Sequence, residues 1–475
     1  MPMTLPITRP RACRPASNWS VAGKLLAPLL LVALASGCVT SNTRPGADSS
    51  QAASHPAVSQ ARDLARNAAT LAGAARKDND RQIESLLAQL DDATLARESA
   101  AMPVGDALYN YAGRALLHRG LPLPRPFDRA DWHFSTTTRP AADADGYRPP
   151  TRLAVLLPLS GSLASAASPV RDGLLAGYYG ETRRRPEIVF YDTSGSVGGA
   201  LGAYDRAVSE GSDFVVGPLG RDEVDALFAR DSLSVPVLAL NRGSGHPPSG
   251  NASFSLSPED EGIAAAELLL ARGAKRVLVI AGSDDSQRRA TASLRDRLGE
   301  RGAVVTDVTS DGTADFAPFA QKEGGIDAIF LAVKGDSARA LTPRLALAGL
   351  AGKPRVATSQ LLAGTGKADL DMALDGIAFP TEAWNNRSVR SLGNAASVAQ
   401  VLPTARAGGA RLFAFGHDAW LLTAYLEHLA LAADGRVDGA TGTLRIDGFG
   451  NVLRTPAWST FNSGVVVPLS GDGLR

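Results

Sequence analysis

Cys38 is the residue whose position promises covalent chemistry. It follows Ser36 and Gly37, which end the apolar run Leu25–Ala35 (LLAPLLLVALA), and Lys24 stands in front of that run. A basic stretch, a short apolar core and a small-residue cleavage site make a secretory signal. The run has about half the length that a bilayer-spanning helix needs, so it is read as a leader and not as a transmembrane helix. With cysteine directly after the small pair, the arrangement is that of a bacterial lipoprotein. The Cys38 thiol takes a diacylglycerol, cleavage leaves it as the new N-terminus, and two or three acyl chains make the attachment stable. Leu34 and Ala35 stand four and three places before Cys38, whereas this box usually has leucine at the nearer place. Val39 follows, in place of an Asp that would favour inner-membrane retention, which predicts the periplasmic face of the outer membrane.

The other reactive side chains form no catalytic set. There is no Gly-x-Ser-x-Gly elbow, and the six histidines are scattered without His-Glu-x-x-His or paired metal spacing. Gly364-Thr365-Gly366-Lys367 resembles the end of a phosphate loop, but Leu361 replaces the leading glycine and Ala368 replaces the Ser or Thr that should follow. Asp284-Asp285 is read as a loop and helix cap rather than a metal pair. Ser257-Pro258-Glu259-Asp260 opens a helix, with serine as cap, proline at the first helical position and acids facing the dipole. No nucleophile, base and oxyanion site assemble, no cofactor or metal is indicated, and the expectation is a protein that is not an enzyme.

Charge narrows the partners. Removing Arg9, Arg11, Arg14 and Lys24 with the leader takes the 49 basic residues to 45, against 48 acidic ones. A near-neutral mature chain without a concentrated basic face is not a nucleic-acid binder. Cys13 leaves with the leader and Cys38 takes the lipid, so no disulfide is available and packing must supply stability.

The elements that must carry any site follow from patterning. Residues 39–60 are rich in Ser, Ala, Pro and Gly and read as a flexible tether. Leu64, Leu71, Ile83, Leu86, Leu87, Leu90 and Leu95 then recur at helical spacings, with Gly73, Pro103 and Gly105 as breaks. Three or four helices, in the manner of a short tetratricopeptide-like pair, are expected. From Arg152 apolar strands alternate with amphipathic helices: Leu153–Leu159, Glu187–Asp192, Asp213–Pro218, Val235–Asn241, Lys275–Ala281, Ala303–Val308, Ala328–Val333 and Arg355–Ser359. Such alternation builds parallel sheets through right-handed crossovers. There are too many strands for one compact sheet, so the fold class expected is α/β, with two Rossmann-like lobes. Stretches 251–257 and 376–384 and the tail after about 435 are read as the three crossings between lobes. The organisation expected is a signal peptide at 1–37, a tether at 38–60, a helical segment at 61–120, a Pro-rich linker at 121–150 and a bilobal domain at 151–475. Lobe 1 takes about 151–254 and 384–435, lobe 2 about 258–375, and the tail 436–475 crosses back.

Ligands of such folds sit beyond the C-terminal strand ends, in the cleft between lobes. That rule marks Ser160, Gly161 and Ser162, before a helix whose first amides could receive a carboxylate, together with Asn241, Arg242, Thr381 and Glu382 as cleft-lining candidates. Glu382 and Trp384 could offer an acid and an aromatic wall to an amino acid. Whether the cleft holds any small molecule is left open.

The opening Leu153–Gly161 (LAVLLPLSG) makes the two-lobe region similar to type I periplasmic-binding proteins, the Venus-flytrap fold. Gly217–Val224 (GPLGRDEV), Pro236–Asn241 (PVLALN), Phe254–Gly262 (FSLSPEDEG), Phe415–Leu422 (FGHDAWLL), Gly439–Asp447 (GATGTLRID) and Val467–Leu469 (VPL) narrow this further. In these segments residues 150–475 resemble the LppC/LpoA family of outer-membrane lipoproteins. The resemblance implies a periplasmic regulator that docks on a class A penicillin-binding protein and stimulates peptidoglycan cross-linking, with the flytrap module making the contact. The family often carries a longer helical domain at its N-terminus than residues 61–120 supply. The alternative is a lipid-anchored receptor that delivers amino acids or similar metabolites to an ABC transporter.

Overall fold

The structure is a computed structural model that describes residues 54–128, 139–313, 315–321 and 325–469. Cys38, the leader and most of the tether lie outside the described residues. The described residues all belong to one compact unit.

A helical layer comes first: α1 (Pro56–Asn67), α2 (Gly73–Ala88), α3 (Asp92–Ala101) and α4 (Tyr109–His118). Helix α1 starts inside the stretch read as tether, which is a correction. Pro56 occupies the first helical turn, where its missing N–H costs nothing, and the His55 imidazole accepts from the Ala57 amide at 3.2 Å. Val58, Ala61 and Ala65 then reach the same core as Ile83, Leu95, Leu108 and Leu116. Asp91 caps α3 by accepting from the Thr94 amide at 2.8 Å. Residues 121–128 follow without helix or strand, and Phe127 folds back into this core.

From Arg152 strand and helix alternate: β1 (Arg152–Leu157), α5 (Ala164–Gly180), β2 (Glu187–Asp192), α6 (Val197–Ser209), β3 (Phe214–Val216), α7 (Arg221–Phe228), β4 (Val237–Ala239) and β5 (Ala252–Ser253). These strands form a parallel sheet in the order β2-β1-β3-β4-β5. Lobe 2 continues with α8 (Pro258–Ala271), β6 (Arg276–Ala281), α9 (Asp285–Glu300), β7 (Val304–Ser310), α10 (Ala317–Ala320), β8 (Ala328–Ala332), α11 (Gly335–Leu347), β9 (Arg355–Ala357), α12 (Ala368–Asp371) and β10 (Ile377–Thr381). The chain returns through α13 (Ala395–Val401) to α14 (Ala407–Leu431), which packs on α5 in lobe 1. The tail holds β11 (Val437–Asp438), β12 (Thr443–Ile446), β13 (Val452–Thr455), β14 (Ala457–Asn462) and β15 (Val465–Pro468).

The lobe boundaries need one correction. Strand β10 and the hairpin β14–β15 are built into the second sheet, ordered β15-β14-β10-β9-β8-β6-β7. The tail therefore does not simply cross back: β11–β13 form a small antiparallel sheet of their own, and Pro456 marks the passage into lobe 2. An isolated bridge between Ser253 and Asn451 ties this small sheet to the end of lobe 1.

Two glycines explain how closely α5 and α14 approach. A Cβ at Gly173 would stand 1.9 Å from the Phe413 carbonyl oxygen, and one at Gly416 would stand 1.9 Å from that of Val170. Each helix thus offers bare backbone to the other, over a core that includes Val170, Leu174, Trp420 and Leu421.

Candidate functional site

The end of β1 already holds a carboxylate, and it is the chain's own. Asp192, the last residue of β2, accepts from the amides of Leu159 at 2.8 Å and Ser160 at 3.2 Å, and from the Ser160 hydroxyl at 2.6 Å. The Ser194 amide adds a fourth bond at 2.8 Å. The bond from the Ser160 hydroxyl leads the causes that pull the Asp192 carboxyl down to about 2. Ser160, Gly161 and Ser162 are exposed at the rim, but Ser160 spends its donors on Asp192. Sequence reasoning missed Asp192, because its pairing with Ser160 spans the strand crossover.

Deeper in, the lobes are joined by charge. Glu261 projects from the first turn of α8 and Arg411 from the first turns of α14, so they belong to different lobes. The Glu261 carboxylate accepts from the Ser359 amide at 2.9 Å and from its hydroxyl at 2.8 Å. Arg411 bonds both Glu261 and the Ser359 hydroxyl, and its Nε lies 3.8 Å from a Glu382 oxygen. Burial alone would raise the Glu261 pKa, but Arg411, Arg454 and the Ser359 amide overcome it and hold the carboxyl below its ordinary value. Arg454, from β13, is pushed down by burial and then by its neighbour Arg411. A ligand entering here would have to break an inter-lobe ion pair that is already satisfied.

The remaining candidates are corrected in part. Thr381 is 2% exposed and its hydroxyl meets that of Ser459 at 2.8 Å, so it seals β10 against β14 and lines no open space. Glu382 is buried and faces Arg411, which leaves no free acid for an ammonium. Trp384 is no aromatic wall: it stacks on Phe413 with centroids 5.3 Å apart and donates its indole N–H to the Gly393 carbonyl at 2.7 Å. Asn241 donates to the Leu219 carbonyl at 3.0 Å and accepts from the Arg242 amide at 2.9 Å, joining two loops. Arg242 pairs with Asp260 at 2.7 Å and lines a cavity walled by the end of lobe 1, the start of lobe 2 and the helical layer. The rejected phosphate loop holds a carboxylate as well, since Asp371 accepts from the Gly366 and Lys367 amides at 2.7 and 2.9 Å. Asp284 closes a capping box with Gln287. Among the described residues no cluster of three or more His, Cys, Asp or Glu side chains could hold a metal.

A bilobal shell bridged by its own ion pair can be set beside known proteins. The family described as “LppC putative lipoprotein” matches residues 146–309 and 310–464, together more than half of the chain. The chain belongs to the LppC family. This LppC protein is 28% identical over 369 residues to the penicillin-binding protein activator LpoA of Photobacterium profundum, a match that covers 66% of this chain and 56% of that one. It is 27% identical over 348 residues to the LpoA of Vibrio vulnificus, covering 65% and 57%. The chain thus spans little more than half the length of these curated relatives. Among solved structures, the C-domain of Haemophilus influenzae LpoA, a regulator of PBP1A, aligns with TM-score 0.59 and 23% identity over 67% of this chain and all of that one. Full-length LpoA from the same organism aligns with TM-score 0.59 and 18% identity over 87% of this chain and 78% of that one. A chain from Chromobacterium violaceum ascribed to a branched-chain amino acid ABC transporter aligns with TM-score 0.54 and 27% identity, over 66% and 100%. The fold is therefore that of LpoA and of type I periplasmic-binding proteins. No helix among the described residues is long and apolar enough to cross a membrane.

Proposed function

We propose that this LppC protein activates a class A penicillin-binding protein by direct contact and so stimulates peptidoglycan cross-linking. The observation that carries the reading is the match to penicillin-binding protein activators across two thirds of the chain. The cleft supports it, because Arg411, Glu261 and Ser359 already bond one another from the two lobes. The shell offers its partner a surface, and activation is a shift in population. Binding favours an active synthase conformer, and the gain is limited by the difference in affinity for the two conformers. The solute-receptor reading draws on the similarity to the Chromobacterium chain, and the inter-lobe ion pair weighs against it. The experiment is the purified full chain added to its class A synthase, with cross-linked product measured. Stimulation supports the activator; no binding and no stimulation rejects it.

The anchor belongs to the same proposal. Cys38 carries the lipid, and the protein sits on the periplasmic face of the outer membrane. A Cys38→Ser variant is expected to take up no labelled palmitate and to leave the membrane fraction. Continued labelling of that variant contradicts the assignment.

A further inference from the structure

The helical layer does not simply precede the lobes; it closes a cavity against them. The turn between β12 and β13 inserts Phe449 between the Tyr111 ring, 4.6 Å away, and the His246 ring, also 4.6 Å away. Arg114 lies 4.5 Å over the same Phe449 ring. Beside this contact a cavity of about 1100 Å³ opens between α2, α4, α9, the start of α8 and the loop that begins at Arg242. A smaller cavity of about 190 Å³ shares His118, Asp260, Ile263 and Leu453 with it and adds Leu117, Leu268, Pro456 and Trp458 as apolar walls, with Glu267, Arg445 and Arg454 also on its lining.

We propose that this double cavity binds an amphipathic organic anion, with its carboxylate or phosphate at Arg114, Arg242 and Arg297 and its apolar group in the annex beside Trp458. The three arginines come from α4, from the loop after β4 and from α9, so only the folded assembly brings them together. Each is committed to an acid: Arg114 to Glu84, Arg242 to Asp260 at 2.7 Å, and Arg297 to Glu267 at 2.6 Å. A guanidinium has five donors in a planar fork and keeps some in reserve after one such pairing. The Arg242 Nε is buried without any hydrogen-bond partner. Lys77 and Arg295 line the larger cavity and have no ion pair among the described residues. Most of the acids on the same walls are already taken. Asp80 accepts from Tyr111 at 2.6 Å and lies 3.4 Å from His246, and Glu300 pairs with Arg297 at 3.2 Å; Asp296 is the exception. His118 stands where the two cavities join. Burial, then Arg297 and Arg114, lower its pKa to about 3, so it adds no charge near pH 7, and among the described residues the side chains of the lining left without an ion pair include Lys77 and Arg295 against Asp296.

The test titrates the purified full chain, without synthase, with phenyl phosphate, with N-acetylphenylalanine and with the uncharged amide of the latter. Calorimetry, thermal unfolding and tryptophan fluorescence give the readouts. At least one anion is expected to bind and raise the Tm, with a fluorescence change that Trp458→Phe removes, while the amide does neither. Phosphate-only binding assigns the phosphate class and carboxylate-only binding the carboxylate class. Arg242→Gln and Ile263→Trp, which fills the annex, each weaken binding about tenfold or more, equivalent to about 1.4 kcal/mol. Lys77→Glu, at an exposed position, reads the same loss should the buried variants fail to fold. No binding of either anion at millimolar concentration, equal binding of the amide, or binding that survives Lys77→Glu and the folded variants overturns the proposal. Because no synthase takes part, this failure is separate from failure of the activator reading.

Discussion

Arg411 decides what the cleft can hold. It reaches from lobe 1 to a Glu261 side chain that is 5% exposed, and removing it leaves that carboxylate buried with the Ser359 donors and Arg454 but no ion-pair partner in contact. Breaking a buried pair from one side costs about 3 kcal/mol or more, so Arg411→Ala is expected to lower the unfolding free energy by about that amount in urea titrations at pH 7. The pH dependence has a definite sign. In the parent the Glu261 pKa lies below its ordinary 4.5, so its contribution is present above pH 4.5 and is lost as pH falls through the lowered value. In the variant the largest lowering cause is gone, so the pKa moves up from its value in the parent and protonation of the buried carboxyl comes more easily. The deficit of Arg411→Ala should therefore shrink between pH 7 and pH 4. A deficit below about 0.5 kcal/mol, the size of an ordinary surface change, contradicts the role given to the pair. Little of this was legible in the sequence. Ser160 and Glu382 were found from their place at strand ends, but their partners Asp192 and Arg411 belong to no local motif. Glu261 stands just past the Ser257–Asp260 helix start and was not singled out, and only the fold brings Arg411 to it.

At the scale of elements the text was far more readable. Short apolar runs such as Lys275–Ala281 and Ala328–Val333 are strands because both faces of a parallel sheet are buried, and they stand within a residue or so of where the pattern put them. The misses have physical causes. Pro56 belongs to linker composition and also to the first turn of a helix, and burial of Val58 and Ala61 decides for the helix. The hairpin β14–β15 pairs with β10 across about 80 residues of chain, as in Phe379 with Ser459, and no local period encodes such a register. The crossing of α5 over α14 was equally silent, since Gly173 and Gly416 look like ordinary helix-weakening glycines. Gly416→Ala drives a methyl into the Val170 carbonyl and is expected to cost about 2 kcal/mol by overpacking. Gly202→Ala, in α6 with nothing within 4 Å of the added carbon, is expected to stabilise by about 0.5 kcal/mol through helix propensity. Chemical denaturation of the two variants measures the contrast. Equal stabilities would mean that the helices do not approach as closely as the structure places them.

Over the whole molecule, several ties restrain the two lobes. Arg411 and Glu261 join them through the cleft. The helical layer touches lobe 1 through Asp80 and His246, the hinge through Asn110 and Gly448, and lobe 2 through Asp92 and Arg301. A periplasmic receptor works by opening and closing on its solute, and opening these lobes would have to break the Arg411–Glu261 pair. The central claim is tested most directly by the rate of peptidoglycan cross-linking by the cognate class A synthase, measured with and without a saturating amount of this chain. The account predicts a saturable rise in cross-linked product that follows complex formation. A rate unchanged at concentrations where the two proteins demonstrably bind, or no complex at all, would contradict it.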